Sequence, residues 1–111
     1  MDRKPTFKPE RIVLAESLIE LSRLGATVWR NNTGMAYNAN KQPLKYGLCV
    51  GSSDIIGIYK SRFLAVEIKA TGKRVKPDSA QDKFIKAVIK KGGIAFECDD
   101  VNKIKTILDS I

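Results

Sequence analysis

Three side chains in this 111-residue chain have the types and spacing to do chemistry together: Asp54, Glu67 and Lys69. Val66-Glu67-Ile68-Lys69 lies in an apolar, β-branched run that reads as a strand, and Asp54 stands one strand earlier. Side chains of a strand alternate between faces, so Glu67 and Lys69 share one face with Ala65. Leu64, Val66 and Ile68 share the other, which is predicted to be core. Asp54 precedes the turn at Ser61-Arg62, so it can stand beside Glu67. Two carboxylates and the Ile68 carbonyl make an oxygen cage for a hard divalent cation, Mg²⁺ or Mn²⁺. Lys69 would sit next to the ion, placed to orient a water or act as general base. Hydrolysis of a phosphodiester needs a polarised phosphoryl oxygen, an activated water and charge compensation at the leaving oxygen. Taken singly, each residue also reads as a solvated strand face or a turn position. The joint pattern carries the catalytic reading.

Composition narrows the alternatives. The chain has no histidine, and its two cysteines, Cys49 and Cys98, lie far apart with no CxxC pair. A zinc site would lack ligands. A Ser-His-Asp or Cys-His nucleophile would lack its imidazole. The formal charge is +8, from 20 basic and 12 acidic residues, which points to a polyanionic partner, nucleic acid first. Between Lys60 and Lys91 the basic residues are dense and the acidic ones are only Glu67, Asp78 and Asp82. Carboxylates kept in such a stretch call for a reason. No apolar run approaches the ~20 residues that span a bilayer, and the N-terminus does not read as a signal peptide. The expected location is the cytoplasm, with thiols reduced.

The elements that must position these residues form one domain over 1–111. Residues 1–9, with Pro5 and Pro9, read as a loose arm. Helical periodicity at Val13, Leu14, Leu18, Leu21 and Leu24 predicts a helix over about 10–24. Ile12, Ala15 and Ile19 widen its stripe, and Gly25 stands at its C-terminus. Strands are predicted over 26–30, 54–59, 63–70 and 94–98. The segment 31–51 is long for a plain connection and reads as a functional loop, part of it a ragged hairpin. Pro77 suits the first turn of a second helix reaching about Lys91, with Phe84, Ile85, Val88 and Ile89 on its apolar side. Asp99 or Asp100 caps a last helix with an inner stripe of Ile104, Ile107, Leu108 and Ile111. The order is helix, three strands, helix, strand, helix, an α/β chain.

In this order the chain resembles the VRR-NUC family of the PD-(D/E)xK nuclease superfamily, over about residues 10 to 105. Trp29-Arg30-Asn31-Asn32-Thr33-Gly34 is similar to the family's first-strand segment. Gly51-Ser52-Ser53-Asp54-Ile55-Ile56-Gly57 is similar to its G-x-x-D segment, and Val66-Glu67-Ile68-Lys69 to its E-x-K. Gln81 stands at its helical glutamine. The proline that often precedes the aspartate is absent, and Gly51-Ser52-Ser53 takes its place. The resemblance implies a restriction-endonuclease-like αβββαβα core with a mixed central sheet flanked by helices. It also implies a first-helix glutamate near the metal, Glu10 or Glu16, with Glu10 matching the family spacing better. Gln81 would hold the phosphate or the catalytic lysine. Stand-alone members look like Holliday-junction resolvases, so a branched DNA substrate and a two-fold homodimer follow by analogy.

Substrate contacts are expected from Lys73, Arg74 and Lys76, directly after the catalytic strand, and from Arg30, Asn31 and Asn32 at the end of the first. Tyr37, Lys41, Lys45 and Tyr46 could form a clamp in the long loop. No helix-turn-helix, zinc finger or RNA-binding signature is present, so binding is expected to follow shape and to weaken with salt. The function expected is a Mg²⁺- or Mn²⁺-dependent, structure-selective DNA endonuclease. The alternative is a non-catalytic nucleic-acid-binding module on the same fold. A sequence-specific restriction-type nuclease ranks third, since a chain this short has little room for a recognition element.

Overall fold

The computed structural model describes residues 6–32, 34–46 and 48–111, without the side chains of 34–36 and 44–46. Its centre is a mixed four-stranded sheet of β1 (Thr27–Arg30), β4 (Ile55–Tyr59), β5 (Arg62–Ile68) and β6 (Ile94–Cys98), in the order β1-β4-β5-β6. The first two pairings are antiparallel and β5 runs parallel to β6. A parallel neighbour requires a crossover, supplied by α2 (Ala80–Lys90). α1 (Glu10–Arg23) precedes the sheet. α3 (Ile104–Asp109) follows it after a 3₁₀ turn at Val101–Lys103. β2 (Gly34–Tyr37) and β3 (Pro43–Tyr46) pair with each other as a separate hairpin. This hairpin occupies part of the long connection. Lys41 and the exposed Tyr37 belong to it, while the side chains of Lys45 and Tyr46 lie outside the described residues.

The core lies on one face of the sheet. Leu64, Val66 and Ile68 of β5 join Ile94 and Cys98 of β6, and Val13, Leu21, Ile104 and Leu108 of α1 and α3 close over them. Gly25 ends α1 in the left-handed region, at φ +99. Its N–H reaches the Ser22 carbonyl and the Ala26 N–H reaches that of Leu21, the pairing that satisfies orphan carbonyls at a helix end. The apolar residues of α2 are absent from this core. α2 packs on β5 and β6, which places it on the opposite face. β5 is therefore buried on both sides, Ala65 and Glu67 included.

Several expectations need correction. The stripe of α1 is narrower than predicted: Val13, Ser17 and Leu21 are buried, whereas Ala15 and Ile19 face solvent. A spacing of four keeps the first three on one line, and Ile19 turns away from it. Pro77 does not enter α2. Asp78 has φ +62, outside the helical region, and Ser79 caps the helix by accepting from the Asp82 N–H. The tight turn is Lys60-Ser61, both at positive φ, and Arg62 already pairs with Tyr59, as in a two-residue type I′ hairpin. Asp100, not Asp99, caps the C-terminal segment, through the Asn102 N–H, and Ile111 lies beyond α3 and is exposed. The arm is not loose at its inner end. The Lys8 N–H donates to the Thr71 hydroxyl, the Lys8 carbonyl accepts from the Thr71 N–H, and the Lys8 ammonium meets Glu16 at 2.9 Å. Residues 1–5 of that arm lie outside the described residues.

Burial makes a sharp stability contrast. Leu64→Ala removes a side chain with no exposure, so it should cost roughly 2–5 kcal/mol in denaturant unfolding. Ile19→Ala, at a position 71% exposed, should stay within about 0.5 kcal/mol.

Candidate active site

Strand register builds the site. Ile55 of β4 pairs with Val66 of β5, so the next position outward sets Asp54 beside Glu67, on the face opposite the core. Two hydrogen bonds hold Asp54 there, and two more fix the loop ahead of it. The Asn31 N–H donates to the Asp54 carbonyl at 2.7 Å, extending the β1–β4 ladder. The Ile68 N–H donates to Asp54 Oδ2 at 2.8 Å, tying the side chain to the end of β5. The Asn31 amide donates to Ser52 Oγ and the Ser53 carbonyl, both at 2.9 Å, fixing the loop ahead of Asp54. Gly51, at φ +85, closes the other side of that loop. A Cβ there would collide with the backbone of Ala80, so the first turn of α2 abuts the approach to Asp54. Lys69 continues β5 by one residue, its N–H bonding to the Cys98 carbonyl at 2.9 Å.

The electrostatics of the pair are unusual. Glu67 is 5% exposed. Burial pushes its carboxyl from an ordinary 4.5 up to about 8, helped by the charge and hydrogen bonding of Asp54, against a smaller opposing pull from Lys69. Two carboxylates sharing a buried position resist simultaneous ionisation. Glu67 Oε2 is buried without a hydrogen-bond partner, as is the hydroxyl of Ser53 beside Asp54. A divalent cation fits this arrangement: it would compensate both charges and give the orphaned oxygen a partner. Among the described residues no cluster of three or more carboxylate or thiol side chains is assembled. A cation there would have the Asp54–Glu67 pair as its side-chain donors, with one more distant carboxylate near them.

That more distant carboxylate is Glu10. It adds to the negative potential at Glu67 and lines a surface depression with Asp54, Arg30, Leu14 and Leu18. Glu16 is engaged by Lys8 instead. Gln81 lies half-buried in the first turn of α2. No hydrogen bond joins it to Asp54, Glu67 or Lys69 among the described residues. Asn32, Lys73 and Lys76 are exposed. Arg74 is committed elsewhere, 3.5 Å from Asp99 and 3.8 Å from Glu97. Asn31 is spent on the Asp54 loop. Sequence reasoning missed two carboxylates. Glu97 accepts from the Val75 N–H and Asp99 from the Gly72 N–H, while Lys103 and Arg74 flank Asp99 and hold its carboxyl below the usual range. Together they fasten the basic loop 71–76 to the end of β6. The only signal for Glu97 was its alternation with Phe96 in a strand running beside β5.

The raised Glu67 carboxyl has a definite pH consequence. The native state holds a proton that the unfolded chain releases near 4.5, so the contribution of Glu67 to stability in metal-free buffer is full below that value and is lost as pH climbs through about 8. Glu67→Gln should abolish this decline and raise the melting temperature at pH 8, read in thermal melts across pH. A wild-type melting temperature flat from pH 5 to 8 would contradict the assignment. No protein-family profile matches the chain, and no curated protein matches it.

Proposed function

We propose that this chain is a metal-dependent, structure-selective DNA endonuclease of the VRR-NUC kind, built on a restriction-endonuclease-like αβββαβα core. The observation that carries the reading is the half-buried Asp54 beside the buried Glu67, one oxygen of which lacks a partner, with Lys69 next on the same strand face. Mg²⁺ or Mn²⁺ bound there supplies Lewis-acid polarisation of the phosphate and acidifies a bound water. Asp54, Glu67 and the Ile68 carbonyl hold the ion, with Glu10 as the outer carboxylate. Lys69 orients the attacking water and takes up or relays its proton. Gln81 holds the phosphate through its amide N–H or Lys69 through its side-chain carbonyl oxygen. Lys73 and Lys76, on a loop pinned by Glu97 and Asp99, neutralise flanking phosphates with Arg30.

The net charge of +8 favours a DNA partner and a steep loss of binding with salt. A two-fold dimer would bring two such sites to the two strands of a junction. Two free cysteines, one exposed and one buried, suit a reducing cytoplasm. No helix among the described residues is long and apolar enough to cross a membrane. A non-catalytic binding module would account for the charge, but buried carboxylates in a basic region oppose phosphate rather than attract it.

Cleavage of labelled junction, flap, splayed and linear DNA with Mg²⁺, Mn²⁺ or EDTA tests the reading. Cleavage of a branched substrate is expected with metal and none in EDTA. Asp54→Ala, Glu67→Ala and Lys69→Ala should each lose at least about a hundredfold in rate while keeping the wild-type circular dichroism. Full activity in all three variants would refute it.

A further inference from the structure

The face that carries Asp54 and Glu67 also carries an aromatic side chain that is only half-covered. Trp29, on the edge strand β1, pairs in register with Ile56, which pairs with Ala65. Alternation sets this row on the carboxylate face, one row from Asp54 and Glu67. Strand and sheet spacings put Trp29 roughly 8 Å from Asp54 between Cα atoms. The inner members of the row are closed, Ile56 at 7% and Ala65 at 0% exposure, yet Trp29 remains 49% exposed. Ile58 and Phe63, paired in the next row away from the carboxylates, are exposed as well. An open aromatic on an edge strand forfeits burial and invites unwanted association. Its retention beside the site needs an occupant.

We propose that Trp29 is a stacking platform for an unpaired nucleobase of the substrate strand, adjacent to the phosphate that a cation at Asp54 and Glu67 would hold. The net charge of +8 favours a polyanion over a second copy of the chain on this face. A base in an intact duplex keeps its faces covered by its neighbours, so only an unstacked base can lie on an indole. The inference rests on the nuclease reading and deepens it. The structural feature selected is an unpaired base next to the cut, as at a flap, a junction centre or a single-strand boundary.

Trp29 is the chain's single tryptophan, so its fluorescence reports directly. The full chain is titrated in EDTA at low salt with a short single-stranded oligothymidine, and separately with a blunt duplex of equal length. The single strand should quench the emission and the duplex should leave it nearly unchanged. In anisotropy with labelled oligothymidine, Trp29→Ala should weaken binding about tenfold, and Trp29→Phe should retain most of it, with duplex affinity unchanged in both. Oligothymidine binding without quenching overturns the proposal, and that measurement needs no variant to fold. So does equal oligothymidine affinity in folded Trp29→Ala. A dimer that dissociates on Trp29→Ala in sedimentation would assign the face to a second copy instead. Quenching with no cleavage of any DNA in Mn²⁺ would sink the nuclease reading and leave the stacking platform standing. Cleavage without quenching would do the reverse.

Discussion

Two carboxylates held side by side at the end of a buried strand are the constraint around which this molecule is arranged. Asp54 and Glu67 occupy adjacent positions of an antiparallel pair, where side chains on one face stand closest. Two ionised carboxylates there would repel and burial adds to the cost, so Glu67 keeps its proton up to about 8. The fold accepts that cost and reinforces it. The Ile68 N–H, the Asn31 backbone and amide, and the close approach of Gly51 to Ala80 all hold Asp54 in place. Stability alone gives no reason to brace a repulsive contact from three directions. A cation site, as proposed for this pair, would.

The surrounding architecture follows from keeping β5 rigid. With α1 and α3 on one face and α2 on the other, β5 is covered on both sides, and β4 and β6 satisfy its backbone. Loop 71–76, which leaves β5 directly after Lys69, is stitched to β6 by Glu97 and Asp99. Its lysines are thereby presented from a fixed base. β1 lies at the open edge of the sheet and carries Trp29 on the carboxylate face.

Much of this was legible in the sequence, for identifiable reasons. Apolar spacing of three and four marked α1 and α3, and the apolar run around Glu67 marked a buried strand. Alternation then placed Glu67 and Lys69 on one face and Asp54 within reach. What escaped was governed by local backbone conformation or by long-range bonds between polar groups. Asp78 at positive φ delays α2 beyond Pro77. Lys60 and Ser61 form a turn that asparagine and glycine would normally announce. Asn31 read as a substrate contact because its sequence position says nothing of Ser52 and Ser53. Arg74 looked free because Glu97 and Asp99 are distant in sequence. Ile19 looked buried because it is apolar, although its helix position turns it outward.

The most direct measurement is calorimetric titration of Mn²⁺ into the metal-free protein at pH 7 in buffers of different ionisation enthalpy, which counts protons released on binding. At that pH Glu67 holds its proton, and a cation that takes up both carboxylates must expel it. Wild type should bind Mn²⁺ with release of about one proton, and Glu67→Gln should bind weakly with none. Failure of wild type to bind, or binding that is unchanged in Glu67→Gln, would contradict a cation site at Asp54 and Glu67.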